Sequence, residues 1–170
     1  MGRRVNCTHD AMRSGVAPAG QAEGRASALE VRVQELTDEL MAVVVLAAEH
    51  AIDSMRDGGP LVPFVLSESV QGTRRLQRIL IGSPVDLSTS VARARALAGR
   101  RAGEEAIVAC AYAGQLGAGP DAQSAVFVEA REGRTPALVF AQCYRPRRRL
   151  RPLRCLGNLA FMGEAERLAA

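Results

Sequence analysis

Ile107 to Tyr144 reads IVACAYAGQLGAGPDAQSAVFVEAREGRTPALVFAQCY, and most of a β-sheet is written in it. Three apolar runs stand between turn residues. Glu105 to Ala113 carries IVACAYA, Gln123 to Glu132 carries AVFVEARE, and Pro136 to Tyr144 carries ALVFAQCY. Gly114 to Asp121 is rich in Gly and ends in Pro-Asp, and Gly133-Arg134-Thr135 is a short turn. Connections of this length join antiparallel strands, because a parallel pair needs a crossover of a dozen residues or more. Two of the runs are apolar on both faces. Val126 and Val128 oppose Ala125 and Phe127, and Leu138 and Phe140 oppose Val139 and Ala141. Both faces of such a sheet need a cover, from helices or from a second copy of the chain. Self-association as a homodimer is therefore expected.

Working outward, a further strand is expected from Leu150 to Leu156, weakened by Pro152, and a short helical end from Gly163 to Ala170. Upstream, Asp86 or Ser88 caps a helix reaching to about Ala98 and closed by Gly99. Before it, Leu61 to Glu68 and Arg74 to Ile81 form a hairpin around Gln71-Gly72-Thr73. Pro63 lacks a ladder donor, which suits an edge or a bulge. A long helix is expected over Ala28 to Asp57, where Val33, Leu36, Leu40, Val43, Val44, Ala47, Ala51 and Met55 recur at spacings of three and four. Gly58-Gly59-Pro60 ends it. Residues 1–27 lack either period and read as a flexible tail, leaving residues 28–170 as a single domain. The element order is α-ββ-α-βββ(β): an α+β fold with an antiparallel sheet of about five or six strands, one long helix and one shorter. This order resembles that of the roadblock-type small α/β modules, which serve as dimeric adaptors and regulators of small GTPases. The resemblance is one of element order, with no residue motif to carry over.

Composition narrows the chemistry. Lys and Arg together number 22, and every one is Arg. Without Lys there is no Schiff-base chemistry and no phosphate-loop lysine. Two His, His9 and His50, exclude a multi-His metal centre. The longest apolar run, Leu40 to Ala48, is nine residues against the roughly 20 of a membrane helix. The start MGRRVNCTHD has no apolar segment, so a cytoplasmic protein without a membrane partner is expected. Cys7, Cys110, Cys143 and Cys155 form no CxxC pair and read as reduced, mostly buried thiols.

Four constellations invite a functional reading. Residues 145–154, RPRRRLRPLR, hold six cations and no carboxylate. Taking those six from the formal charge of +4 leaves −2 for the rest of the chain. Arg145, Arg147, Arg148, Arg149, Arg151 and Arg154 suit nucleic acid, another polyanion or an acidic protein partner. The same run also serves simply to keep an edge strand from aggregating. Glu49, His50, Asp53 and Asp57 share a helical stretch and offer one imidazole to a metal or to base catalysis, but a polar helix face with a satisfied His accounts for them better. Cys7-Thr8-His9-Asp10 supplies two ligand types without partners. Pro120-Asp121 with Glu129-Ala130-Arg131 is superficially similar to the PD-(D/E)xK nucleases, with Arg131 where that pattern has Lys. One intact strand between Asp121 and Glu129 would hold them up to ~26 Å apart, too far to share a metal. Gly114 to Gly119 leads into a strand, whereas phosphate-cradling loops lead into a helix. The expectation is a homodimeric interaction or regulatory module without catalytic residues, metal or cofactor. Polyanion binding through the Arg segment is the first alternative, and a metal-dependent hydrolase using acidic residues is the second.

Overall fold

The first helix, α1, spans Asp38–Ser54. It belongs to a computed structural model that describes residues 36–80, 86–149 and 151–165. The long helical period does not run its whole expected length. Leu36 and Thr37 are not helical, and Asp38 and Glu39 fill the first turn, where carboxylates complement the helix dipole. Residues 28–35 and the tail over 1–27 lie outside the described residues. At the other end, Met55 and Arg56 donate three residues back, to Ile52 and Asp53. Gly58 at φ +91 then donates to the Met55 carbonyl, closing the helix as a left-handed glycine does.

Strands β1 (Phe64–Glu68) and β2 (Arg74–Arg78) form the expected hairpin. Gly72, at φ +78, donates to the Ser69 carbonyl within its turn. Pro63 stands just before β1, and its carbonyl accepts from Ile79 at 2.8 Å, so its missing N–H costs the ladder nothing. Helix α2 spans Leu87–Arg101 with Asp86 at its N-cap. It continues past Gly99, where a stop was expected, because Ala98 and Ala102 are both buried on the sheet. That burial, with the bond from Arg131 Nη2 to the Gly99 carbonyl, outweighs the ~1 kcal/mol that glycine costs a helix.

Strands β3 (Ile107–Leu116), β4 (Gln123–Glu132), β5 (Leu138–Arg145) and β6 (Arg154–Glu164) complete the sheet, with a short 3-10 turn at Gly119–Asp121. Gly114 to Leu116, read as loop, extend β3 and pair with Ala125 to Gln123. The last strand begins at Arg154 rather than Leu150. It includes Gly163 and Glu164, which were expected to be helical; residues 166–170 lie outside the described residues. Among the described residues there are six strands, all antiparallel in the order β2-β1-β3-β4-β5-β6, and two helices, which is the α+β class read from the sequence.

Strand alternation sorts the two faces. On one, Phe64, Leu66, Ala109, Ala111, Val126, Val128, Ala130 and Phe140 are buried on the side of α1, whose His50 meets Phe64 edge-on at 5.1 Å. Small Ala side chains on the central strands admit Val43, Val44, Ala47 and Ala51 of the helix, while phenylalanines fill the flanks. On the other face α2 sets Ala94 and Ala98 on Val65, Val108 and Cys110. The chain passes from β2 to β3 across β1, and α2 lies on that crossing. The elements lie within one compact unit, Asp38–Ala170. Among the described residues no helix is long and apolar enough to cross a membrane.

Candidate functional site: an arginine-lined concavity

The pairing of β4 with β5 runs from Ala130–Leu138 to Ala125–Cys143 and ends there. Beyond Cys143 the β5–β6 hairpin continues as two strands alone, through Tyr144–Cys155 and Arg145–Arg154. Pro146 and Pro152 cannot donate to a ladder and interrupt it on both sides. It resumes as a single bridge in which Arg148 and Arg151 exchange N–H to carbonyl bonds at 2.9 Å.

The root of this arm is held by two side chains. Gln142 sits where the β5–β6 register shifts, and its amide donates to the carbonyls of Cys143, Leu156 and Gly157 at 3.1, 3.4 and 3.3 Å. One buried amide thus bonds three backbone carbonyls where the ladder is irregular. Arg147 Nη1 donates to the Arg56 carbonyl at 3.3 Å, just past the C-terminus of α1. A cation is favoured there, and the last turn of α1 supplies none of its own.

The six arginines therefore divide. Arg145, Arg148, Arg151 and Arg154 line one concavity of about 520 Å³ together with Pro146 and Pro152. Arg147 braces the arm, and Arg149 is exposed outside that lining. Strict alternation would send Arg145 and Arg148 to opposite sides; the proline breaks bring them to one. No carboxylate lines the concavity among the described residues. Like charges directly opposite each other in a sheet are destabilising, and this ribbon holds two such pairs. Tyr144 alternates to the other side of the ribbon, where burial raises its phenol. Leu150 lies outside the described residues.

The remaining candidates do not converge. His50 Nε2 faces Arg78 Nη2 at 3.4 Å, and Asp53 pairs with Arg56 at 3.0 Å. Asp121 lies in the 3-10 turn before β4, and Glu129 near the far end of that strand. Among the described residues no group of three or more His, Cys, Asp or Glu could hold a metal ion. Cys7 and His9 lie outside the described residues.

A polar network that the motif search missed sits under α2. Glu129, 4% exposed, accepts from Arg95 Nε at 3.0 Å and Nη2 at 2.5 Å, and from the Tyr112 hydroxyl. Arg95 Nη2 also reaches the Tyr112 oxygen at 2.6 Å, and its guanidinium carbon lies 4.8 Å from the centre of that ring. Tyr112 stacks on Phe127 with centroids 5.6 Å apart. Burial alone would lower the Arg95 guanidinium, but the Glu129 carboxylate more than reverses this and raises it. Burial first, then the bond to Glu129, raises the Tyr112 phenol. Burial, then the charge of Glu129 on the facing strand, pushes the Cys110 thiol up to about 12. The network ties α2 to the centre of the sheet. The signal was present: a lone carboxylate inside the apolar run AVFVEA needs a buried partner.

No family model, curated protein or solved structure matches the chain.

Proposed function

We propose that the protein is a non-catalytic binding module that takes a polyanion on its β5–β6 arm. The observation that carries this reading is the shared concavity of Arg145, Arg148, Arg151 and Arg154, without a carboxylate in its lining. Guanidinium forks match phosphate, sulfate and carboxylate oxygens bidentately. An anion placed among them would also relieve the repulsion within the Arg145–Arg154 and Arg148–Arg151 pairs. The arm is the concentrated source of positive charge on a chain whose remainder is formally −2. The test is elution from immobilised heparin in a NaCl gradient. A variant with Arg145, Arg148, Arg151 and Arg154 all changed to Gln is expected to elute at much lower salt than the parent. Equal elution would remove the reading.

Self-association is a second reading with its own support. Helix α2 packs on β1 and β3 and reaches β4 through Arg95 and Gly99. Phe127, Val139 and Cys143, on the same face over β4 and β5, are half-buried. A second copy of the chain would cover them in a homodimer, as an apolar face requires. Light scattering should give twice the chain mass, and a monomer at high concentration would end this reading.

A further inference from the structure

Resting on the polyanion reading, we propose that the partner is double-stranded DNA, entered at its major groove by the β5–β6 arm as a two-stranded ribbon. Three observations favour this over a single strand or an acidic protein. The first is shape. Past Cys143 the arm is two antiparallel strands, with no third strand paired to them among the described residues. Strands ~4.8 Å apart with side chains on them suit a groove about 12 Å wide, which admits a two-stranded ribbon. The deep, narrow major groove of an RNA duplex does not.

The second is the placing of charge. Arg145 faces Arg154 and Arg148 faces Arg151, so each strand of the ribbon carries two of the four cations. The residues of a pair on one strand are three apart, about 10 Å in extended chain. A groove has a phosphate wall on each side, and a ribbon with cations on both strands answers both walls.

The third is the absence of a stacking platform in the lining. Single-strand binders set aromatic rings along the cationic groove for successive bases. Here the concavity is lined by Arg and Pro, and Tyr144 lies on the ribbon's other side.

The experiment is fluorescence anisotropy of the full chain with a short DNA duplex, either of its single strands, and a poly-glutamate peptide, from about 50 to about 200 mM NaCl. The duplex should bind at least ten-fold more tightly than the single strand or the peptide. Four phosphate contacts give a slope of log affinity against log salt of about −3.6, and R148Q/R151Q should bring it to about −1.8. R134Q, exposed in the β4–β5 turn at the other end of β5 from the arm, should leave the slope unchanged. Equal affinity for single strand or peptide, or a slope indifferent to R148Q/R151Q, would overturn the duplex proposal while leaving polyanion binding standing. No binding to any of the three, with no retention on heparin, would remove both.

Discussion

Glu129 is the residue whose environment says most about how this chain holds together. A buried carboxylate is costly unless paired, and here a guanidinium and a phenol both donate to it. E129Q keeps the shape but removes the charge and turns one acceptor into a donor facing Arg95. It should cost about 1–3 kcal/mol in urea denaturation, the range for unsatisfying a buried polar group. An unchanged midpoint would mean that the network contributes nothing to stability. Cys110, beside it, has a thiol pushed up to about 12 by burial first and Glu129 second. It should stay unmodified by iodoacetamide in the native protein at neutral pH and be labelled after unfolding, while exposed Cys155 is labelled natively. Mass spectrometry reads both sites. Of this neighbourhood, the apolar strands were legible from alternation. The triad was not, because Arg95, Tyr112 and Glu129 are brought together by the crossing of α2 over the sheet.

At the scale of elements, caps and irregularities decide where chain segments begin and end. Asp86 caps α2 by accepting from the N–H groups and hydroxyls of Ser88 and Thr89, which hold its carboxyl near 2, below its usual 3.8. A carboxyl depressed on folding stabilises the protein above its unfolded pKa and loses that contribution as pH falls through the folded one. Wild type should therefore lose this contribution between about pH 4 and about pH 2, whereas D86N, still a good cap, should not. Melting curves at both ends of that window compare the two. The cap was legible as Asp86 or Ser88, and the structure takes Asp86. The end of the helix was misplaced, because glycine propensity is local and the burial of Ala102 is tertiary. Gln142 is the corresponding device in the sheet. Q142L would strip the carbonyls of Cys143, Leu156 and Gly157 of a donor. It should destabilise by about 1–3 kcal/mol and speed amide exchange at residues 154–158 ahead of the rest of β6. Uniform exchange along β6 would count against that role.

For the whole molecule, charge and core are arranged separately. The core is a sheet between two helices, and the arm's cations stand outside it. Replacing all six arginines of residues 145–154 with Gln takes the formal charge from +4 to −2. The variant should move from cation-exchange to anion-exchange resin at pH 7 with its circular dichroism spectrum retained, apart from some loss at the arm brace. Loss of the folded spectrum would show that the arm is part of the fold. By itself, the sequence determined the class of fold, the strand count to within one and the position of the cationic segment, because period, turn residues and charge are local along the chain. Only the tertiary structure decided which arginines share a concavity and which braces α1, and that Glu129 finds its partners beneath α2. Each of those outcomes depends on which strands pair and where their ladders break. Proline interruptions and a register shift at Gln142 overrule the alternation that a linear reading assumes.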